Sequence, residues 1–207
     1  MFFRPGEPHG LNGNPFNQLV LPRPIGWISS ISADGHVNLA PFSFFNAVAY
    51  VPPQVMFATT GPHQAGGPKN SLENIRETRE FVANLATWPL REAVNLSSAP
   101  APATIDEFEL AGVTKAAARI VRAPYVDESP VHLECVLTQI IELPTPDPTD
   151  PNTVIFGEVV GIDIADRVIR DGRVDAAELD PIARLGYDQY VRVVDNFTMT
   201  RPDWPLR

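Results

Sequence analysis

Two lysines, one cysteine and no long apolar run limit what this 207-residue chain can do. With only Cys135, no intrachain disulfide can form, and the chain is compatible with a reducing compartment. Lys and Arg total 16 against 25 Asp and Glu, a formal net charge of -9. Such acidity argues against nucleic acid or an anionic membrane as the partner, because both require basic surface. No apolar stretch approaches the roughly 18 residues of a membrane span. The start, Met1-Phe2-Phe3-Arg4-Pro5-Gly6, has no signal-like apolar core. A soluble, cytoplasmic protein is expected.

Catalytic signatures are also missing. His9, His36, His63 and His132 fall in no HxxxH or HExxH spacing, so no metal site is expected. His132 and Glu134 share a strand face, which reads as a salt-bridged strand surface ahead of the alternative, a metal or acid/base pair. There is no GxSxG elbow, P-loop or GxGxxG fingerprint. Cys135, between Leu133 and Leu137, reads as a small core residue.

Proline and strand formers are plentiful. The 22 prolines break helices and central strands, so short elements with punctuated loops follow. Residues 1–17 read as an irregular arm. Ile25–Ala33 and His36–Leu39 read as a hairpin around Asp34-Gly35. Gln54–Thr59 and Phe81–Ala86 read as strands. A helix begins near Ser71, where Asn70 and Glu73 have capping-box spacing. A second helix opens at Pro89 and runs to about Ser97. Residues 98–113 read as loop with a turn at Asp106–Leu110. Ala118–Arg122, Val131–Leu143, Val154–Ile164 and Tyr187–Val194 read as strands, the middle two as a long hairpin across PTPDPTDP. Many strands with a few inserted helices, not in βαβ alternation, indicate an antiparallel barrel or sandwich.

Two segments carry candidate chemistry. Arg23–Pro53 concentrates Ser29, Ser30, Asn38, Ser43 and Asn46 beside Trp27, Phe42, Phe44 and Phe45. Buried hydroxyls and amides cost free energy unless partnered, so this density suits a flat, polar small molecule. Lys69-Asn70-Ser71 places an ammonium and a hydroxyl at a helix start, where free N–H groups and the dipole attract a phosphate.

Arg23-Pro24-Ile25-Gly26-Trp27-Ile28-Ser29-Ser30 followed by Asn38-Leu39-Ala40-Pro41-Phe42-Ser43-Phe44-Phe45-Asn46 resembles the flavin reductase-like, FMN-binding split-barrel family. That family includes flavoredoxin and reductase components of two-component monooxygenases. Lys69–Ile75, Phe81–Leu85, Phe156–Val160 and Arg184-Leu185-Gly186-Tyr187 extend the resemblance over residues 18–195, leaving 1–17 as an arm and 196–207 as a tail. It implies a mainly β fold with inserted helices, a six-stranded antiparallel split β-barrel. It implies a homodimer with FMN at the interface. Trp27, Ser29, Ser30 and the Asn38 and Ala40–Asn46 segment would meet the ring and ribityl chain, and Lys69, Asn70 and Ser71 the phosphate. The implied activity is an NAD(P)H-dependent flavin reductase passing hydride to flavin N5, with an oxygenase as a possible partner. A flavoredoxin-like electron carrier, or a binding module without flavin, is the alternative. Two positions depart from the pattern: Asn70 stands in place of Asp, and Asp163 where many relatives carry His.

Overall fold

The computed structural model describes residues 1–64 and 66–204. After one helical turn, α1 (Phe16–Leu19), come β1 (Arg23–Pro24), β2 (Gly26–Ile31), β3 (Val37–Phe42), β4 (Phe45–Tyr50) and β5 (Pro53–Thr60). Helix α2 (Asn70–Thr78) leads to β6 (Glu80–Leu85), then α3 (Arg91–Leu96) and α4 (Glu107–Ala111). The remaining elements are β7 (Lys115–Ala116), β8 (Tyr125–Val126), β9 (Val131–Leu143), β10 (Asn152–Ile164), β11 (Ile169–Arg170), β12 (Arg173–Val174), α5 (Ala176–Leu179), β13 (Ile182–Arg184) and β14 (Tyr190–Arg192).

Seven antiparallel strands form the main sheet in the order β3-β2-β6-β9-β10-β5-β4. Its two edge strands, β3 and β4, are joined by only Ser43 and Phe44. A two-residue link cannot cross a flat seven-stranded sheet, since adjacent strands lie about 4.8 Å apart. The sheet therefore curls until its edges approach, leaving a seam at Ser43–Phe44. The Ala58 N–H donates to the Phe44 carbonyl across 2.8 Å and pins this link to β5.

Period-two alternation explains why β2 is buried almost throughout. Ile28 points into a core inside the curl with Phe57, Phe81 and Ile155, which α2 plugs with Leu72 and Ile75. Trp27 points the other way, into a second core with Leu39, Val94 and Phe108 under α3 and α4. The hairpin turn forms as its residues dictate: Gly35 takes φ +89°, and the Ser32 N–H meets the His36 carbonyl at 2.9 Å.

The long hairpin is present as β9 and β10, with register shifts at Phe156/Gly157 and Val159/Gly161. Gly157 lets the Phe81 ring cross the strand; a Cβ there would sit 2.5 Å from Phe81 Cζ. Gly157→Ala should therefore destabilise the protein by about 2 kcal/mol through overpacking. Urea unfolding of the two proteins measures this, and equal midpoints would refute it.

Several expectations need correction. The main sheet has seven strands, not six: β4 was invisible because Asn46, Ala47 and Val48 are all exposed and carry no alternation. Ala118–Arg122 is a run of bends, not a strand. Its amides turn inward onto one side chain. The Arg119, Ile120 and Val121 N–H groups all donate to the Glu134 carboxylate at 2.7–3.1 Å. Glu134 and His132 are each only 3% exposed, so they are interior groups and not a salt-bridged surface. Asp106 caps α4 by accepting the Phe108 N–H, which makes a helix of the expected turn. Tyr187–Val194 contributes only the three-residue β14.

Candidate functional site

The seam opens into a cleft of about 690 Å³. Pro41, Phe42, Ser43 and Phe44 form one wall, and Ala58 and Thr60 of β5 continue it. Lys69 and Ser98 line both this cleft and a second chamber, whereas Arg23, Arg184 and Tyr190 line the cleft and not that chamber. The second chamber, smaller at about 140 Å³, shares Pro41, Phe42, Lys69 and Ser98 with the cleft as lining. That chamber holds Asn38, Ala40, Asn70, Ser71, His63 and Glu107.

The wall is rigid for identifiable reasons. Phe42 packs its ring 4.8 Å from that of Phe57 in the inner core. Ser43 Oγ accepts from Arg23 Nε at 3.3 Å. Arg23 lies over the Phe44 ring, 5.7 Å from its centroid.

The smaller chamber is built around the start of α2. The helix begins after Lys69, whose carbonyl accepts the Leu72 and Glu73 N–H groups at 2.9 and 3.1 Å. The Asn70 and Ser71 N–H groups, one and two places into the helix, have no acceptor within it. The capping box does not form: Lys69 occupies the cap position without a side-chain bond, and Asn70 reaches to the Ala101 carbonyl at 3.5 Å. Ser71 Oγ accepts from Asn38 Nδ2 at 2.8 Å. Among the described residues, the Lys69 ammonium makes no ion pair. The chamber thus offers an ammonium, two helix N–H groups and amide and hydroxyl groups, a donor set suited to a phosphate monoester.

Glu107 closes the chamber and was not foreseen. It is 4% exposed and accepts the Leu39 N–H at 3.2 Å. Burial pushes its carboxyl up to about 7, against the pull of the Leu39 N–H and its own N–H, with Asp106 adding to the rise. A carboxyl whose folded value exceeds its ordinary 4.5 stabilises the fold below pH 4.5. That contribution is lost as pH rises through about 7. Glu107→Gln should remove the effect: urea unfolding at about pH 5 and about pH 8 should show the wild type losing ~2 kcal/mol more than the variant. Parallel losses would refute it.

Nine of the fourteen sequence-derived residues line the two chambers: Asn38, Ala40, Pro41, Phe42, Ser43, Phe44, Lys69, Asn70 and Ser71. The other five lie elsewhere in this chain. Trp27 is fully buried in the second core, with Nε1 donating to Ser97 Oγ at 2.9 Å. Ser29 Oγ donates to the Pro124 carbonyl and accepts from Asn84 Nδ2 at 3.2 Å. Ser30 Oγ accepts from Asn74 Nδ2 of α2 at 3.1 Å. Both serines satisfy the interior and present nothing to the cleft. Phe45 packs over Gly26, where a Cβ would lie 2.4 Å from its ring, and Asn46 is exposed on β4. Asp163 lies outside both chambers; it pairs with Arg119 at 3.2 Å and faces His132 Nδ1 at 3.5 Å. Burial raises the thiol of Cys135, with the Glu134 charge adding to it, so a thiolate nucleophile is disfavoured there.

Besides Glu107, the lining residues that sequence reasoning missed include a group from the two ends of the chain. Asn14 and Asn17 arrive with α1, and Arg184, Tyr187 and Tyr190 with β13 and β14. The Arg184-Leu185-Gly186-Tyr187 run was the signal that could have found the latter group. Gly186 lets this loop press against α1: a Cβ there would lie 2.0 Å from Gln18 Oε1.

Known proteins resemble this chain closely. An uncharacterized protein of Aquifex aeolicus is 37% identical over 175 residues, covering 84% of this chain and 86% of that one. Nitrilotriacetate monooxygenase component B from Bacillus cereus superposes with a TM-score of 0.86 at 28% identity, covering 96% of this chain and 98% of that one. A split-barrel protein of Shewanella frigidimarina, assigned as a flavin reductase, superposes with a TM-score of 0.75 at 23% identity, covering 91% and 89%. Residues 18–180 match the flavin reductase like domain. The curled seven-stranded sheet is thus a split barrel, and the chain belongs to the flavin reductase-like family.

Proposed function

We propose that this protein is an NAD(P)H-dependent, FMN-binding oxidoreductase. The observation that carries this reading is that Phe42 and Lys69 line both chambers. A phosphate donor set in the smaller one adjoins a cleft walled by Pro41–Phe44. FMN has matching parts, a phosphate monoester joined by a short polyol to a flat aromatic ring. The flavin would supply the hydride-accepting chemistry.

The chain's own groups do the rest. Lys69, Asn70 and Ser71 hold the phosphate, and Asn38 fixes the Ser71 hydroxyl that faces it. Phe42 and Phe44 present apolar surface to the ring system. Ser43 and the backbone of the seam offer hydrogen-bonding groups to its polar edge. Nothing in this scheme demands a catalytic triad, in agreement with the sequence.

The functional unit in this reading is residues 18–195 as a homodimer in the cytoplasm. Exposed Val48, Tyr50 and Val51 on and beside the edge strand β4 offer apolar side chains to a second copy. Component B of the Bacillus cereus monooxygenase, by its name one part of a larger enzyme, supports an oxygenase as the electron acceptor. The test is anaerobic mixing of the FMN-loaded protein with NADH or NADPH. Bleaching of the flavin absorbance within seconds is expected. An FMN-loaded protein that stays oxidised would eliminate the reductase reading and leave an electron carrier.

A further inference from the structure

Two arginines, Arg23 and Arg184, line the cleft but not the smaller chamber, and no buried carboxylate offsets their charge among the described residues. Arg23 is 7% exposed, and its guanidinium is held by neutral acceptors. It donates to the carbonyls of Val20 at 2.9 Å and Leu185 at 2.6 Å, to that of Asn17, and to Ser43 Oγ at 3.3 Å. No carboxylate lies within ion-pair distance of it among the described residues. Arg184 stands near enough that burial and this second cation together lower the Arg23 guanidinium below its ordinary value.

Arg184 is itself held in place. It donates to the Tyr190 hydroxyl and the Tyr187 carbonyl, and its guanidinium lies 4.5 Å from the Tyr190 ring centroid. Its acidic neighbour is Asp188, 3.8 Å away with a fully exposed side chain, too solvated to cancel the charge. Two guanidiniums in one corner repel each other, and a buried uncompensated charge is costly. In a chain of net charge -9, such a corner persists where an anion offsets it.

We propose that Arg23, Arg184 and Tyr190 form a subsite for the oxyanion of an acidic second substrate, held in the cleft beside the flavin. The inference rests on the FMN reading, which assigns the flavin phosphate to the smaller chamber and leaves Arg23, Arg184 and Tyr190 for a second ligand. Arg23, saturated by carbonyls, supplies field and rigidity; Arg184 supplies the planar donor edge that a carboxylate or phosphate oxygen pair matches. Two sources share this chemistry, the carboxylate of an organic acid and the pyrophosphate of a nicotinamide dinucleotide.

Calorimetric titration of the FMN-loaded protein with benzoate and with inorganic pyrophosphate tests it. The wild type is expected to bind at least one of them. Benzoate alone identifies an organic acid, pyrophosphate alone a dinucleotide. Arg184→Gln should weaken that anion at least tenfold and change FMN affinity by less than about threefold, with Arg184→Lys between. Tyr190→Phe, which keeps the ring and removes the hydroxyl, should weaken the anion about threefold and covers the case of a misfolded Arg184 variant. A wild type that binds neither anion, or variants that bind as the wild type does, would overturn the proposal. A protein that binds the anion but never FMN would sink the cofactor reading and leave the subsite standing.

Discussion

Lys69→Glu is expected to weaken FMN binding about 100-fold while altering riboflavin binding by less than about threefold. The two ligands share ring and ribityl chain and differ in the phosphate, so the difference isolates the contact. The wild-type ammonium makes no ion pair among the described residues. Reversal therefore breaks no internal bridge and acts on the ligand directly. It also puts a carboxylate at the start of α2 beside Glu107, where two acids and a phosphate would compete for the same donors. Quenching of flavin fluorescence gives both affinities. Equal losses for the two flavins would remove Lys69 from phosphate recognition.

Glu134→Ala is expected to cost about 4 kcal/mol of folding free energy. Three backbone N–H groups would lose their acceptor at once. The loop through Ala118–Arg122 has no ladder of its own to replace it, because those residues pair with no strand. Burial opposes the Glu134 charge, yet the three N–H groups and Arg119 outweigh it and hold the carboxyl below its ordinary range. Its stabilisation is therefore complete at neutral pH and is lost as pH falls through that lowered value. Glu134→Gln, with one oxygen left to accept, should recover roughly half of the loss. A denaturant midpoint unchanged in the Ala variant would contradict this account.

How far the sequence could be read follows from what each segment's pattern encodes. The β2–β3 hairpin and the β9–β10 hairpin were legible because turn residues bracket long runs of strand formers. Helix α2 was legible from its apolar stripe, Leu72 and Ile75. β4 was not, since an exposed edge strand owes its pairing to neighbours and not to its own alternation. The same limit shaped the site. Lys69, Asn38 and Ser43 stood out as polar groups in an apolar setting. Ser29, Ser30 and Trp27 stood out equally, but their partners, Pro124, Asn74 and Ser97, lie 44 to 95 positions away. No local pattern separates a serine that lines the cleft from one that meets a distant carbonyl. Glu107 escaped notice for the converse reason: a charged residue in sequence reads as surface until packing shows it enclosed.

The seam at Ser43–Phe44 has a bearing on how the molecule breathes. β3 and β4 each have a neighbour on one side only, so local opening there breaks a single ladder. Their outward amides should be among the first in the sheet to exchange with deuterated solvent. The cleft wall runs along the same break, from Pro41 on the β3 edge through the Ser43–Phe44 link to Ala58 on β5. A ligand seated on it bridges β3 and β5 across the seam and acts as a clasp. Its binding energy is then spent partly on closing the barrel, which makes the empty protein the looser of the two forms.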